Sequence, residues 1–407
     1  MNYLDEMPER IIEPGKESFS SAERLGHLIA REMKRDPHLY LFSPDETTSN
    51  KLDAAYEVSA RAWNLPAEIW DLPESTKGRI VELLSENALF AAQVGHVLGN
   101  KEQAFMTSYE AFFQIISSQI IQHLKFLKQV EEADWRKNPD GTPETFPAIN
   151  LLSTSTCWRQ DHNGFSHQSP ALISTLLSIP NRRVNCIFPV DDVAATAAFD
   201  FMLASTNVVN LTTFNKTEEP RFIDKNHAKF QYDNGGASIF GFASNCGEQE
   251  TPDYVFTSAG DIVTREAIAA VRIINEDLPY LKIRFINVAA LSYNAIGTTK
   301  NQLENSTFSQ YYSDNCPIIA NFHGYPETFK NILKNYTSPA RIRVHGFEEQ
   351  GSTTTPFEML SLNHASRYDL ALDVARDQGR EDLVIKYESL IELNHSHARE
   401  LGTDISI

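Results

Sequence analysis

The feature of this sequence that most constrains its fold is an alternation of apolar strands and helices. From residue 148 onward the pattern predicts the order strand, helix, strand, helix, strand at residues 148–154, 171–179, 184–190, 193–204 and 208–214. Strands that are separated by helices pair in parallel, and the helices cover both faces of the sheet. This part of the chain is therefore predicted to be a doubly wound α/β domain.

The preceding residues extend the same pattern. Ser20 and Glu23 have the spacing of a capping box, which indicates the start of a helix. Further strands are predicted at residues 38–42 and 80–84, and further helices at 52–58 and 108–130. Residues 1–19 are polar and rich in Glu and Pro, so we interpret them as a lead-in segment. The first domain is thus predicted to span residues 20–214.

A second alternating unit follows a polar segment. Residues 215–236 contain an Asn-Gly-Gly sequence and are predicted to be a linker. After it, strands are predicted at 254–257, 283–288, 317–321 and 342–344, and helices at 265–274, 327–333, 357–377 and 381–401. We therefore expect a second doubly wound α/β domain with a mainly parallel sheet at residues 237–407.

The charge balance limits the classes of partner. The chain has 54 acidic and 36 basic residues, a net charge of −18. Nucleic acids and anionic membrane surfaces call for a basic face, so we expect neither as a partner. No apolar run approaches the ~18 residues that span a bilayer, and residues 1–6 lack the features of a signal peptide. The four cysteines form no CxxC pair, so we expect reduced thiols in a cytoplasmic protein.

A dense polar run at residues 158–168 is the first candidate binding loop. It follows a predicted strand, and ligands of open α/β sheets bind at the carboxyl ends of strands. Gln160 and Asn163 offer amides, and His162 and His167 are proton carriers near neutral pH. A solvated loop with satisfied histidines is the alternative. The two histidines are five residues apart, which does not suit a metal site on one helical turn, so no metal site is predicted.

Two further polar loops end predicted strands, at residues 43–51 and 85–87. In a parallel sheet these loops share one edge with residues 158–168 and can converge. Glu86 is a candidate for acid/base work if its pocket is partly apolar. Ser49 and Lys51 stand at a predicted helix start and could hold a phosphate. Residues 345–356 form another polar loop, which is either a site or the N-cap of a helix.

Five stretches resemble a known family in the same order along the chain. They lie at residues 43–52, 108–112, 158–168, 259–261 and 344–356. They resemble the phosphoketolases, thiamine diphosphate enzymes that cleave xylulose 5-phosphate or fructose 6-phosphate with phosphate to give acetyl phosphate. The similarity covers nearly the whole chain and implies a transketolase-like pyrimidine-binding domain followed by a C-terminal domain.

The resemblance implies roles for individual residues. Glu86 would hydrogen-bond the aminopyrimidine ring of the cofactor and favour its imino tautomer. Tyr109 would pack against that ring, and Phe112 in the same stretch would also bind the cofactor. Gln160, Asn163 and His167 would face the sugar and the covalent intermediate, and the histidines of this run, His162 and His167, would move protons. Those that would lie near the substrate phosphate are Ser49, Lys51 and Lys216.

The sequence departs from the family in several places. Phosphoketolases are about twice as long, and their amino-terminal half carries a Gly-Asp-Gly…Asn motif that binds magnesium and the diphosphate. This chain has no such motif, so Mg²⁺ is expected on a partner chain. Asn87 replaces an expected histidine and Lys51 an expected arginine, and residues 102–104 replace an expected Arg-His-Gly. Arginine can donate two parallel hydrogen bonds to a phosphate, whereas lysine binds it through a single ammonium group. Lys51 is therefore expected to weaken phosphate binding.

Three hypotheses follow. The chain is a subunit of a split phosphoketolase-like enzyme, inactive without a diphosphate-binding partner, with which it forms a dimer or hetero-oligomer. Alternatively it is a non-catalytic paralogue that acts as a regulatory or binding subunit, as the departures favour. A third hypothesis is a different two-chain thiamine enzyme. The retained residues favour the first.

Overall fold

The computed structural model describes residues 2–44, 46–66, 68–69, 74–135, 137–160 and 162–405. Asp45 and Asp161, which belong to two of the predicted loops, lie outside the described residues. The chain divides into two compact units. Unit 1 comprises residues 1–155 and 179–228, and unit 2 comprises residues 156–178 and 229–407. The proposed domain limits at residues 19, 214 and 236 follow the sequence pattern and remain a proposal.

The strands, labelled in chain order, are β1 Ser18–Ser20, β2 Tyr40–Ser43, β3 Arg61–Ala62, β4 Glu74–Ser75, β5 Ile80–Glu82, β6 Ala104–Tyr109, β7 Ile149–Thr154, β8 Val184–Ile187, β9 Val209–Thr213, β10 Glu218–Pro220, β11 Ala237–Ile239, β12 Tyr254–Ala259, β13 Ile283–Val288, β14 Ala290–Ser292, β15 Ala295–Ile296, β16 Ile318–Phe322 and β17 Ile342–His345.

The α-helices are α1 Ser21–Arg35, α2 Glu86–Asn100, α3 Glu110–Phe113, α4 Ser117–Glu132, α5 Ala171–Ser178, α6 Asp192–Ala204, α7 Lys225–Asp233, α8 Asp261–Asp277, α9 Asn305–Tyr312, α10 Pro326–Leu333, α11 Pro356–Leu362, α12 Arg367–Asp377 and α13 Glu381–Leu401. Among the described residues, none of these is both long enough and apolar enough to cross a membrane. A cytoplasmic location stays a prediction.

Unit 1 contains a parallel sheet with the strand order β8-β9-β7-β6-β2-β5-β3-β4. Every neighbouring pair in this series is parallel. Strands β7 and β9 are buried along their whole length, as is typical of central strands in a parallel sheet that is covered on both faces. The predicted α/β class is confirmed in this unit.

A row of buried asparagines crosses the centre of that sheet. Asn185 donates to the Oδ1 of Asn210 and Asn210 donates to the Oδ1 of Asn150, both at 2.8 Å. These two bonds link the amides laterally across three strands, while the Nδ2 of Asn150 has no hydrogen-bond partner among the described residues. A one-residue register shift would separate all three and leave buried amides unpaired.

Unit 2 has a five-stranded sheet with the order β11-β13-β12-β16-β17. Strands β13, β12, β16 and β17 are parallel neighbours, and β11 joins antiparallel at the edge. Strands β14 and β15 form a hairpin. The expected mainly parallel sheet is therefore confirmed in the second half of the chain as well.

Several predicted elements differ from those observed. The predicted linker at 215–236 contains strand β10 and helix α7, because Asp224 accepts the backbone N–H of His227 at the helix start. The predicted helix at 357–377 is two helices, α11 and α12. Ser366 caps α12 in a capping box with Asp369, and His364 in the break has a φ of 54°. The first two residues of the predicted helix at 108–130 are the last two residues of strand β6.

Two shorter elements differ in detail. The helix predicted at 52–58 is a 3₁₀ helix at residues 53–57. The strand predicted at 80–84 ends at Glu82, because Ser85 already caps α2 by accepting the N–H of Ala88.

The lead-in segment packs onto the sheet domain. Tyr3 and Leu4 are buried, and the Tyr3 ring meets the Phe199 ring edge-on at 5.6 Å. Asp200 on α6 accepts both of their backbone N–H groups, at 3.0 and 2.8 Å. Residues near the start of the chain therefore belong to the core of unit 1.

Candidate active site

The carboxyl edge of the sheet in unit 1 gathers two of the predicted loops. Strands β5, β2 and β6 are parallel neighbours, so the residues that follow them emerge at the same edge. Residues 44–52 follow β2, and the N-terminus of α2 follows β5. Thr47 donates to the Oε1 of Glu82 at 2.6 Å, which ties the two connections together. The third predicted loop, residues 158–168, belongs to unit 2.

Glu86 is the first residue of α2. Its side chain is partly buried, and its Oε1 accepts a hydrogen bond from the hydroxyl of Ser108 at 3.4 Å. A carboxylate in the first turn of a helix is favoured by the helix dipole. Glu86 is thus held between a helix N-terminus and the end of β6.

Glu46 is a further candidate site residue that the sequence analysis did not single out. Its Oε2 accepts the backbone N–H of Tyr109 at 3.0 Å. Burial raises the pKa of Glu46 to about 7, and the neighbouring charge of Glu86 adds to that rise. The Tyr109 N–H, the Asn50 side chain and the Lys216 ammonium oppose it. In the sequence, the one signal that points to Glu46 is its position in a loop that follows a strand.

Two aromatic rings lie beside these carboxyls. Tyr109 and Phe112 stack with their centroids 6.2 Å apart and their planes 15° apart. The Tyr109 hydroxyl donates to the Oγ of Ser49 at 3.1 Å. The two rings therefore form an apolar surface, and the hydroxyls of Tyr109 and Ser49 lie at one end of it.

Two lysines give this edge a cationic end. The Nζ of Lys216 lies 4.9 Å from the centre of the Tyr109 ring. Burial lowers the pKa of Lys216, Glu46 raises it, and Lys51 lowers it further. Lys51 is partly exposed and its Nζ lies 4.0 Å from the Oε2 of Glu23. The predicted phosphate residues Ser49, Lys51 and Lys216 thus lie in one neighbourhood of unit 1.

Asn50 fixes the loop that carries these groups. It is fully buried, and its Nδ2 donates to the Oγ1 of Thr107 at 3.3 Å. Its Oδ1 accepts from the hydroxyls of Thr154 and Ser155. The loop after β2 is therefore attached by one side chain to the ends of β6 and β7.

The polar run at residues 158–168 is anchored within unit 2. Trp158 is buried, and its Nε1 donates to the backbone oxygen of His323 at 2.9 Å. Gln168 donates through its Nε2 to the backbone oxygens of Gln160 and Ser352, at 3.1 and 2.8 Å. These bonds shape the run into a fixed turn.

Gly164 lies at the tightest point of that turn. It has a φ of +71°, and an added Cβ would come within 2.9 Å of the Thr353 Oγ1. Gln160 is buried, and its Oε1 accepts from Asn163 at 2.6 Å. In the part of the chain that the structure describes, the Nε2 of Gln160 is buried without a hydrogen-bond partner, which leaves a donor for a ligand.

The two histidines of the run differ in their surroundings. His162 is exposed, whereas His167 is partly buried with its Nδ1 2.9 Å from the Oγ of Ser166. Of the predicted residues, unit 1 brings together Ser49, Lys51, Glu86, Tyr109, Phe112 and Lys216. Unit 2 holds Gln160, His162, Asn163 and His167 in one turn.

The loop at residues 345–356 ends in a helix cap. Thr355 accepts the backbone N–H of Glu358 at 3.3 Å, and Pro356 occupies the first position of α11. This is the structural alternative that the sequence left open for these residues.

Comparisons with known proteins agree with this architecture. Residues 23–205 match the family model for D-xylulose 5-phosphate/D-fructose 6-phosphate phosphoketolase. Residues 216–406 match the model of the C-terminal domain of the same family. A probable phosphoketolase of Rhodopseudomonas palustris (strain TIE-1) is 35% identical over 402 residues, which cover 96% of this chain and 50% of the relative. One of Synechococcus elongatus is 35% identical over 89% of this chain and 45% of its own length.

Solved transketolases share the fold. A Pichia stipitis transketolase in complex with sedoheptulose 7-phosphate superposes with a TM-score of 0.68 at 14% identity, covering 96% of this chain and 49% of its own. A split-gene transketolase, described as an inactive β4 tetramer, gives a TM-score of 0.57 at 12% identity and covers 88% of this chain and 98% of its own.

The chain spans about half the length of the curated relatives that it matches. The two family models together extend over nearly all of its residues. The chain belongs to the phosphoketolase family.

Proposed function

We propose that this chain is one subunit of a split phosphoketolase-like enzyme that uses thiamine diphosphate. The reaction cleaves xylulose 5-phosphate or fructose 6-phosphate with phosphate, giving acetyl phosphate and an aldose phosphate. The observation that carries the proposal is the position of Glu86. Its carboxyl lies at a helix N-terminus against Ser108, at the sheet edge that also holds the Tyr109–Phe112 ring pair.

The residues present fit the pyrimidine end of the cofactor. A flat heteroaromatic ring needs an apolar face to pack on and a carboxyl to bond a ring nitrogen, and this edge offers both. When bound, thiamine diphosphate supplies a carbon nucleophile and an electron sink for cleavage next to a carbonyl. The sequence has no Gly-Asp-Gly…Asn motif, so we assign the diphosphate and Mg²⁺ to the partner.

The remaining groups of unit 1 bind the anionic end of the substrate. Lys216 and Lys51 carry positive charge, and Ser49 adds a hydroxyl that is already aligned by Tyr109. Charged donors of this kind bind phosphate oxygens. In this proposal they hold the sugar phosphate, and Glu86 holds and releases a proton at the pyrimidine ring.

We assign the sugar hydroxyls to the turn in unit 2. The free Nε2 of Gln160 and the amide of Asn163 are suited to hydrogen-bond hydroxyl or carbonyl oxygens. His162 and His167 have imidazoles that can take up and give back protons near neutral pH.

A partner subunit completes the proposed enzyme. The split-gene transketolase chain, described as an inactive β4 tetramer, shares this fold over 98% of its own length, which supports the proposal of a two-chain enzyme. We therefore expect the isolated chain to form no acetyl phosphate. With a diphosphate-binding chain it would form an active hetero-oligomer.

A second candidate is a non-catalytic paralogue, which the departures from the family favour. Lys51 lies 4.0 Å from Glu23. Glu102 contacts His38 at 3.1 Å and His96 at 3.5 Å, so it serves a local ion-pair cluster. Residues that have taken structural partners are less available to a substrate.

One experiment separates the two candidates. The tagged chain is recovered from its native cytosol, its partners are identified, and the eluate is assayed for acetyl phosphate with ketose phosphate, phosphate, cofactor and Mg²⁺. A second chain with the Gly-Asp-Gly motif and measurable product supports the split enzyme. Product from the purified chain alone contradicts the proposed need for a partner, and recovery without such a chain and without product supports the paralogue.

A further inference from the structure

One buried hydroxyl group links the two segments that carry the proposed phosphate lysines. Ser20 is buried, and its Oγ donates to the backbone oxygen of Lys216 at 2.9 Å. The same Oγ accepts the backbone N–H of Glu23 at 3.2 Å and so caps helix α1. The Oε2 of Glu23 in turn lies 4.0 Å from the Nζ of Lys51. A single side chain therefore connects the backbone of Lys216 to the helical turn that contacts Lys51.

The backbone of Lys216 is held at both of its polar groups. Its N–H donates to the Oδ1 of the buried Asn215 at 2.9 Å, and its oxygen accepts from Ser20. The Nδ2 of Asn215 donates to the Oε1 of the buried Glu219 at 3.1 Å. Strand β10 begins two residues after Lys216 and pairs with β1, which places Ser20 opposite Glu218. The side chain of Lys216 therefore starts from a fixed point of the fold.

The side chain of Lys216 runs from this fixed backbone to the ring of Tyr109. Its Nζ lies 4.9 Å from the centre of that ring. The hydroxyl of the same ring donates to the Oγ of Ser49, a second group of the proposed phosphate site. A lysine ammonium is a point charge on a flexible stem, so its place depends on where the stem begins. A shift of the Lys216 backbone would move the ammonium relative to the ring and to Ser49.

We propose that Ser20 is a positioning residue that places the Lys216 ammonium for binding the phosphate group of the sugar phosphate. It acts through the backbone of Lys216. The use of this lysine for phosphate rests on the proposed function, whereas the dependence of its position on Ser20 is a property of unit 1 alone. A cap of α1 does not by itself call for a hydroxyl, because glycine serves at the N-cap with little loss.

The position of the ammonium can be measured on the folded chain without any activity. The ring current of Tyr109 should shift the NMR signal of the Lys216 ε-methylene group upfield, and Lys216→Arg identifies that signal by removing it. Ser20→Gly keeps the helix start but removes the donor to Lys216, so the upfield shift should be lost. Ser20→Thr restores a hydroxyl and should restore the shift. An unchanged shift in Ser20→Gly would overturn the proposal.

The affinity for inorganic phosphate tests what this position is used for. Isothermal titration of the folded chain should show about fivefold weaker binding in Ser20→Gly than in wild type, the scale of one hydrogen bond. Ser20→Gly combined with Lys216→Met should bind phosphate no more weakly than Lys216→Met alone, because the effect passes through Lys216. Ser366→Gly, which removes the cap of α12 in unit 2, is the control and should leave phosphate binding unchanged. A further loss in the combined variant would overturn the proposal.

The outcomes separate this inference from the proposed function. If wild type and Lys216→Met bind phosphate equally, the phosphate assignment made under the proposed function is wrong, and the role of Ser20 falls with it. In an active complex, Ser20→Gly should raise the KM for the sugar phosphate about fivefold and leave kcat unchanged. If the complex is active and KM is the same in both proteins, the inference fails and the function stands.

Discussion

The sheet edge of unit 1 and the turn at residues 158–168 of unit 2 hold their polar groups in different ways. At the edge, ionisable groups act on one another: Glu86 raises and Lys216 lowers the pKa of the buried Glu46, and Glu46 raises the pKa of Lys216. In the turn, neutral groups dominate, since Gln168 bonds backbone oxygens and Gln160 bonds Asn163.

The difference teaches what each region can be tuned to do. Charges in a half-buried site set protonation, and their effect changes with pH. Amides and backbone oxygens set shape, and their effect does not change with pH in the physiological range. We expect mutations at the edge to alter pH dependence, and mutations in the turn to alter geometry.

The largest expected effect is a pH-dependent change in stability from Glu46. Its folded-state pKa, about 7, is above the ordinary 4.5, so the native state binds the extra proton between these values. The stabilisation that the protonated Glu46 contributes to the native state is therefore fully present below pH 4.5, and it is lost as the pH rises through 7. Glu46→Gln should raise the free energy of unfolding at pH 8, relative to pH 5, by about 2.5 kcal/mol compared with wild type. Urea denaturation at the two pH values measures it, with Glu57→Gln as the control that should show no such gain.

Asn50→Ala should break the attachment of the edge to the sheet. It removes the partner of buried hydroxyls on Thr107, Thr154 and Ser155. The free energy of unfolding should fall by about 2 kcal/mol, because buried polar groups lose their hydrogen bonds. Urea denaturation checks this, and Asn100→Ala at the exposed end of α2 should change it by less than about 0.5 kcal/mol. Equal effects in the two variants would contradict the role of Asn50.

Gly164→Ala tests whether the turn depends on shape. Alanine would have to adopt a φ of +71°, which L side chains rarely do, and its Cβ would lie 2.9 Å from the Oγ1 of Thr353. The cost should be about 1–2 kcal/mol at any pH from 5 to 8. Gly141→Ala is a matched control, since Gly141 has a φ of +83° and open space at its Cβ position. If both variants cost the same, close packing at Gly164 contributes nothing.

The smallest expected effect comes from Lys51→Arg, which restores the residue typical of the family. A guanidinium can grip phosphate at two points, so inorganic phosphate should bind about threefold more tightly. Isothermal titration of the chain with phosphate measures it. Lys34→Arg, on the exposed surface of α1, serves as the control. Unchanged or weaker binding in Lys51→Arg would indicate that Lys51 serves Glu23 and not a phosphate.

Much of the fold could be predicted because the apolar pattern is regular. The strands of β7, β8 and β9 and the helices between them follow the predicted order, and Ser20 caps α1 as its spacing indicates. The misses have local causes. Strand β6 runs directly into α3, so its apolar residues merge with the helical pattern. The break between α11 and α12 contains neither Gly nor Pro and depends on the cap at Ser366.

The candidate site was predicted less completely. Residue type and position at a strand end select Glu86 and Gln160 as candidates, and their roles stay a prediction. Glu46 was missed because its raised pKa arises from burial and from the charge of Glu86, which is distant in sequence. The orphan Nε2 of Gln160 and the competition of Glu23 for Lys51 are likewise tertiary properties.

The central claim is that the edge of unit 1 carries one half of a thiamine diphosphate site, with Glu86 as its acid. The most direct test is the rate of acetyl phosphate formation by the assembled complex, compared between wild type and Glu86→Gln at equal cofactor saturation. The account predicts a loss of at least about 100-fold, the scale of a positioned proton donor. Equal rates for the two proteins would contradict it.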